Sequence, residues 1–277
     1  MAFELTGFAG KVAVVSGAGR MRSIGRPIAV ALARAGCDVV LTGSGRTPDR
    51  YPADEQAALW RDVDSVADEV RALGRRALAL VCDVADAGAV DELAARVHAE
   101  FGRVDFLVNN AGSHRGEDRQ PVAQLPIAQW HRVLDVNLDG TFYMSRRFAQ
   151  DMLRQGPGRA IVNISSVVAR ALLPNSAAYS ASKAAINALT TIMAGELGPH
   201  GVRVNGVAPG LVDTSRMDGM PRGAAWDAYI QKGIALGRCG SGEDIANAVV
   251  FLCSEQAAWL TGQVLHVDGG AFHGQRA

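Results

Sequence analysis

The sequence has no long hydrophobic run: none of its apolar stretches approaches the roughly 20 residues needed to span a bilayer, so no transmembrane helix is expected. Nor does it carry an excess of either charge. The 28 basic residues balance 28 acidic ones, which leaves no electrostatic case for a nucleic-acid or anionic-membrane partner. Cysteine is scarce, and the four present, Cys37, Cys82, Cys239 and Cys253, lie far apart in core-like surroundings such as "LVCDV" and "VVFLCSE". They read as buried, reduced thiols and not as a disulfide framework or a metal site. The N-terminal "MAFELTGFAG" lacks the basic region and apolar run of a secretory signal, so a cytoplasmic protein is expected. Repeats, low-complexity tracts and linkers are also missing. Residues 1–277 are therefore expected to form a single domain, and 48% hydrophobic residues give it a sizeable core.

What is present is alternation. "KVAVVS" (11–16), "CDVVLT" (37–42), "RALALVC" (76–82), "VDFLVN" (104–109), "RAIVNIS" (159–165), "VRVNGVA" (202–208) and "GQVLHVD" (262–268) are short apolar runs that read as buried strands. Between them, apolar residues recur at spacings of three and four, as at Val63, Val66, Val70 and Leu73, which reads as helix. Strand and helix alternating this often predict an α/β fold: a Rossmann-like, doubly wound parallel sheet of about seven strands with helices on both faces. Ligands of such sheets sit at the carboxyl ends of the strands, so the residues following each run matter most. The segments 43–55, 112–121 and 213–226 read as irregular.

After the first strand, "SGAGRMRSIGRPIA" places Gly17 and Gly19 in a turn, and Ser23 and Ile24 at the head of a helix that runs to the stop signal Gly36. Free backbone N–H groups and the helix dipole at such a point favour a pyrophosphate. An NAD-binding sheet usually places a carboxylate at the end of the second strand to hold the ribose 2′-OH. Here Gly43 and Ser44 stand at that place, with Arg46 nearby and Arg20 and Arg22 in the first loop. A hydroxyl and guanidinium groups suit a 2′-phosphate, so NADP(H) is expected over NAD(H).

Further along, "SSVVARALLPNSAAYSASKAAI" carries Ser166, Tyr179 and Lys183. The tyrosine and lysine are four apart and so share one helix face. An ammonium beside a phenol stabilises the phenolate, which lets the tyrosine act as a general acid or base. With "SGAGRMRSIG", "CDV", "NNAG" (109–112), "VNLDGTF", "NISS", "APGLVDT" (208–214) and "TGQVLHVDGG" (261–270) in order, the chain resembles the short-chain dehydrogenase/reductase family from about Phe8 to Gly270.

That resemblance implies roles. Tyr179 would pass a proton to or from the substrate oxygen, Ser166 would hydrogen-bond that oxygen, Lys183 would hold the nicotinamide ribose, and Asn137 would hold a water in a proton relay. Asp83 and Val84 would meet the adenine, and Asn110, Ala111 and Gly112 the adenosine. Pro209, Gly210, Val212 and Thr214 would line the nicotinamide side. The implied activity is interconversion of a ketone or aldehyde and a secondary alcohol, with no metal.

The first loop departs from the family's usual pattern: Gly17, five residues, then "SI" is similar to the divergent enoyl-acyl carrier reductases. Enoyl-thioester reduction is thus a rival, although the four-residue Tyr–Lys spacing and Ser166 favour a carbonyl. A non-catalytic dinucleotide sensor is a third class, disfavoured because the tyrosine and lysine are kept. An NAD-dependent alcohol dehydrogenase is a further alternative. The substrate, a small molecule, is expected beneath a loop at about 213–240, among His114, Arg115, Arg170, Leu172, Met217, Met220 and Trp226, with Arg170 able to meet Glu117 or Asp118. The apolar helices around "FYMSRRFAQDML" and "AAINALTTIMAGEL", with the C-terminal "VDGGAFHGQRA", suggest a homo-oligomer, a tetramer or dimer.

Overall fold

The structure, a computed structural model, describes residues 4–271. Each of the seven expected runs forms a strand: β1 (Val12–Val15), β2 (Asp38–Gly43), β3 (Ala77–Val81), β4 (Phe106–Asn109), β5 (Arg159–Ile164), β6 (Val202–Pro209) and β7 (Val264–Val267). They make one parallel sheet in the order β3-β2-β1-β4-β5-β6-β7. Val14, for example, stands opposite Val40 on one side and Leu107 on the other.

Alternation along the strands sorts the core into two halves, because successive side chains of a strand point to opposite faces. Ala13, Val15, Val39, Leu41, Phe106 and Val108 face α1 (Gly25–Ala35), α3 (Val63–Ala72) and α10 (Gly242–Cys253). Val12, Val14, Val40 and Leu107 face α4 (Ala87–Phe101), α6 (Gly140–Gln155) and α8 (Ala177–Leu197). The central strands are mostly apolar because both faces are covered, and each fully buried Val, Leu or Phe contributes roughly 1.5–3 kcal/mol.

The helix ends follow from local chemistry. Gly36 closes α1 at φ +117°, a conformation that favours glycine, in keeping with its reading as a stop signal. Asp86 caps α4 by accepting from the amides of Gly88 and Ala89, and Ser241 and Asp244 form a reciprocal capping box on α10.

Two expected irregular segments contain structure. Residues 43–55 include a 3-10 turn at Pro48–Arg50 and the start of α2 (Ala53–Ala57), and 213–226 includes a turn at Ser215–Met217 and the start of α9 (Ala224–Gly233). Cys37, Cys82 and Cys253 are buried free thiols, whereas Cys239 is only partly buried.

The strand order reverses between β1 and β4, which opens a crevice at their carboxyl ends. Four segments meet there: the glycine loop after β1, the "NNAG" turn after β4, Ser166 after β5, and the stretch after β6. Two shorter helices, α5 (Ile127–Leu134) and α7 (Val168–Ala171), flank this end, and a π-helical turn at Asp135–Asp139 joins α5 to α6.

Candidate active site

The glycine loop is fitted tightly against the "NNAG" turn. Asn110 Nδ2 donates to the carbonyls of Ser16 and Gly17, at 2.9 Å each, and Ser16 Oγ accepts the amides of Asn110 and Ala111 at 3.1 and 3.0 Å. Gly17 sits at φ +67°, and a Cβ there would fall 2.7 Å from Ala111 Cα. Ser23 Oγ donates to the Arg20 carbonyl and accepts from the Arg26 amide, which sets the path into Ile24 and α1. The first turn of α1 contains no acidic residue. Backbone at a helix N-terminus whose first turn carries no acidic side chain fits a dinucleotide pyrophosphate.

At the adenosine end, Ser44 and Asp83 are exposed and Val84 is buried. The arginines there differ from expectation. Arg46 donates to Glu55 Oε2 (2.8 Å) and Asp62 Oδ1 (3.1 Å) and stacks on Tyr51, so its charge is already matched by carboxylates. Arg22 is paired with Asp54 at 2.6 Å and Asp218 at 2.5 Å, which turns it away from the role of a phosphate ligand expected for it. Arg20 donates to the Ser215 hydroxyl at 3.5 Å; burial is the main cause holding its guanidinium below the ordinary range.

The segment carrying Glu55 and Asp62 folds back over the glycine loop. Trp60 Nε1 donates to the Gly19 carbonyl at 2.6 Å, and Glu55 Oε1 accepts the Met21 amide at 2.8 Å. A Cβ built on Gly19 would fall 1.6 Å from Asp62 Oδ1, and one on Gly43 would lie 3.3 Å from Asp62 Oδ2. The end of β2, free of acid in sequence, thus gains a carboxylate from a distant position.

At the other end of the crevice, Tyr179 and Lys183 lie on one face of α8, with Lys183 Nζ 5.8 Å from the tyrosine ring centroid. Lys183 is 4% exposed and donates to the Ile164 carbonyl at 2.7 Å. Ser166 lies near enough to the phenol to favour its ionised form. Burial pushes the Tyr179 phenol up, but Arg216, Lys183, Ser166 and Arg119 together outweigh it and hold the group below its ordinary range. Burial likewise pushes the Lys183 ammonium down, against the pull of Tyr179.

Asn137 is fully buried and its amide is committed at both ends: Oδ1 accepts the Ser113 amide at 2.7 Å and Nδ2 donates to Ser182 Oγ at 3.0 Å. The side chain expected to hold a water therefore ties the "NNAG" turn to α8. Asn109 is also a strand-fixing residue, donating to Ser145 and Asn163 at 2.8 Å each. Gly112 packs against the Asn137 amide.

After β6, the Pro209 carbonyl accepts the Val167 amide, Gly210 donates to the Val267 carbonyl, and Val212 bridges to Gly240. Thr214 is buried where this segment enters the Ser215–Met217 turn. That turn is fastened to the glycine loop, since the Ser215 amide donates to the Arg22 carbonyl at 3.0 Å.

Two residues that the sequence reading passed over complete the site. The Arg119 guanidinium carbon stands 4.5 Å from the Tyr179 ring centroid, and that of Arg216 stands 4.9 Å away, both nearer than the lysine nitrogen. Arg216 Nη1 donates to the Ser113 carbonyl. Of the substrate-side residues expected, His114 is exposed, and partial burial with Arg20, Arg216 and Arg132 nearby holds its imidazole below the ordinary range. Arg170 and Leu172 are exposed, Glu117 accepts from Gln129, Asp118 lies against Arg119, and Trp226 carries Arg222 on its ring.

Similarity searches agree with this geometry. A family model described as enoyl-(acyl carrier protein) reductase matches residues 17–272. The short-chain reductase protein NovJ of Streptomyces niveus is 40% identical, covering 94% of this chain and 93% of its own. The 3-oxoacyl-[acyl-carrier-protein] reductase FabG of Staphylococcus aureus is 37% identical over 95% of this chain and 98% of its own. Among solved structures, a 7α-hydroxysteroid dehydrogenase complexed with NADH and 7-oxo glycochenodeoxycholic acid aligns with a TM-score of 0.82 and 35% identity. It covers 95% of this chain and 94% of that one. A matching sheet order, a tyrosine and lysine one helical turn apart beside a serine, and relatives alike over nearly their full length lead to one assignment: this chain is an oxidoreductase belonging to the short-chain dehydrogenase/reductase family.

Proposed function

We propose that the protein interconverts a ketone or aldehyde and a secondary alcohol, with Tyr179 as the general acid/base. The observation that carries this reading is the lowered phenol of Tyr179, held among Ser166, Lys183 and two arginines. A bound nicotinamide supplies the hydride. The residues do the rest: Ser166 orients the substrate oxygen, Tyr179 gives that oxygen a proton in reduction and takes it in oxidation, and Lys183 keeps the phenolate accessible. Asn137 positions α8 against the "NNAG" turn through Ser182 and Ser113. Although the family model bears the name of an enoyl reductase, the Tyr179–Lys183 spacing of four and the presence of Ser166 beside the phenol support carbonyl chemistry.

For the cofactor, the acid-free end of β2 with Ser44 supports NADP(H), held by Arg46 and Arg20 once a 2′-phosphate displaces Glu55 and Asp62. One observation favours the second reading, NAD(H): the Asp62 carboxylate already lies against Gly19 and Gly43, where a ribose hydroxyl would be met. Initial rates with NADPH and NADH on one ketone decide between them.

Tyr179→Phe tests the central claim. A fall in kcat of about 10² to 10⁴ with the fold intact is expected from loss of the proton donor; carbonyl reduction near the wild-type rate would refute the mechanism.

The chain is further proposed to act as one catalytic unit, with a substrate loop at about 213–240, and to assemble as a dimer or tetramer. Support for assembly comes from Phe142 and Leu153 on α6 and Ile192 on α8, apolar side chains left 44%, 40% and 57% exposed. Residues 272–277 of the C-terminal segment expected near an interface lie outside the described residues. Among the described residues no helix is long and apolar enough to cross a membrane.

A further inference from the structure

The catalytic tyrosine is surrounded by more positive charge than proton transfer requires. Arg119, from the segment after "NNAG", and Arg216, from the start of the substrate loop, both approach the Tyr179 ring within 5 Å, at 4.5 and 4.9 Å. These are the two segments that wall the substrate side. Arg20, near Arg216, and Arg115, near Arg119, stand close enough to add to the same positive field. The acidic residue placed against this cluster is Asp118, which is 2% exposed.

Asp118 does not satisfy the cluster. One of its oxygens accepts the Gly116 amide at 3.0 Å, and the other lies 3.2 Å from Arg119 Nε, in a geometry that leaves both atoms buried without a hydrogen bond. Arg216 uses Nη1 on the Ser113 carbonyl, while its Nη2 is buried with no partner. Buried guanidinium groups are ordinarily paired, because leaving a charged donor unmet costs more than a neutral one. Two arginines from two loops, beside one reactive phenol, thus each keep a buried donor without a hydrogen bond, and the lone carboxylate of Asp118 near Arg119 does not balance both positive charges.

Resting on the carbonyl-reductase reading above, we propose that Arg119 and Arg216 bind a carboxylate of the substrate itself, so that the preferred substrates are short oxo acids and, in reverse, hydroxy acids. The guanidinium groups lie beside the ring whose oxygen meets the reacting carbonyl. That proximity places the carboxylate one or two carbons from the carbonyl carbon, as in a 2-oxo or 3-oxo acid. In reduction the C=O π bond breaks, the carbon gains the hydride of the reduced nicotinamide, and the oxygen gains the Tyr179 proton. The acid leaves as a hydroxy acid, the nicotinamide is oxidised, and the phenolate regains a proton from water. The carboxylate stays ionised throughout, and the two arginines orient the molecule.

The test uses the full-length enzyme with 2-oxobutanoate and 3-oxobutanoate, each paired with its methyl ester, which keeps the carbonyl and removes the charge. Wild type should favour at least one acid over its ester by a factor on the order of 10² or more in kcat/KM. Arg119→Leu and Arg216→Leu should each lower that ratio by a factor on the order of 10², as expected for loss of a charge-assisted pair. The Lys variants should restore part of it. Calorimetric binding of the acid should weaken in parallel in the Leu variants, a readout independent of turnover.

Acid and ester reduced equally well by wild type would overturn the receptor while leaving the carbonyl reductase standing. An unchanged ratio with a raised KM for the dinucleotide in Arg216→Leu would also overturn it, by assigning that arginine to the cofactor. If no compound turns over, the carbonyl-reductase reading is what fails; acid binding that is lost in the Leu variants then upholds the receptor, and acid binding that is absent or unaltered refutes it.

Discussion

The two ends of the crevice use the same residue type in opposite ways. At the adenosine end, Arg46 lies between Glu55 and Asp62, and Arg22 between Asp54 and Asp218, so each cation meets two carboxylates. At the catalytic end, Arg119 and Arg216 crowd an aromatic ring, with Asp118 as their acidic neighbour. Arginines whose charge is matched within the chain build the loop that they belong to. Those with unmet donors are available to a ligand. The distinction lies in the partners and not in the sequence neighbourhood, since all four follow strand ends.

Breaking the matched set should have the largest effect on stability. Arg46 is 13% exposed in its side chain and Glu55 1%, so Arg46→Met leaves two carboxylates with little access to water. Removing one partner of such a buried pair costs about 3–5 kcal/mol, measurable as a lower urea midpoint. Glu55→Gln in the same background should recover part of the loss. Arg119→Met also strips a buried carboxylate, Asp118, of an ion-pair partner, but it relieves repulsion from Arg216 and an unmet donor, so its midpoint should fall less than that of Arg46→Met. Equal losses from the two variants would erase the comparison.

The catalytic end should reveal itself in pH dependence. Oxidation of an alcohol needs the phenolate, so its kcat/KM should rise with pH through a midpoint below the ordinary tyrosine value of about 10. Burial opposes that lowering, and Arg216 is the strongest of the groups that produce it, ahead of Lys183. Removing its positive charge disfavours the phenolate, so Arg216→Met should move the midpoint upward. An unmoved midpoint would show that the arginine's charge does not reach the reacting oxygen.

A smaller effect is expected at Asp62. The residue adopts φ +51°, a left-handed conformation uncommon outside glycine, and holds its carboxylate against Gly19. Asp62→Asn removes a negative charge from the place proposed above for the 2′-substituent. The ratio of kcat/KM for NADPH to that for NADH should rise about tenfold, the equivalent of about 1.4 kcal/mol. No change would place the 2′-position elsewhere.

These residues also mark how far the sequence could be read. Every strand was legible, because a strand buried on both faces must be a short apolar run. The glycine loop, Ser166, Tyr179 and Lys183 were legible because spacing along one helix or one turn fixes their relation. Arg119 and Arg216 were not: they come from irregular segments, and only the folded path brings both to the same ring. Asp62 was missed for the same reason, since "LTGSGR" shows no acid and the approach depends on a fold-back pinned by Trp60 to the Gly19 carbonyl. Arg46 and Arg22 read as free cations because their partners Glu55, Asp62 and Asp218 lie 9, 16 and 196 residues away.

Arg22 provides the finest test of what pairing alone contributes. Its hydrogen bonds to Asp218 and Asp54 raise its pKa, yet its side chain is 39% exposed and the two carboxylates are 36% and 41% exposed. Water and salt screen pairs of that kind, and exposed ion pairs typically contribute only about 0.2–1 kcal/mol. Arg22→Ala should therefore shift the urea midpoint far less than Arg46→Met, and the shift should shrink further at about 1 M salt, where the Debye length is about 3 Å. The Arg46 effect should persist under the same conditions, because its partners are shielded from the added ions. If both effects faded alike with salt, burial would not be what separates the arginines of this crevice, and the matched and unmatched sets would have to be distinguished by charge count alone.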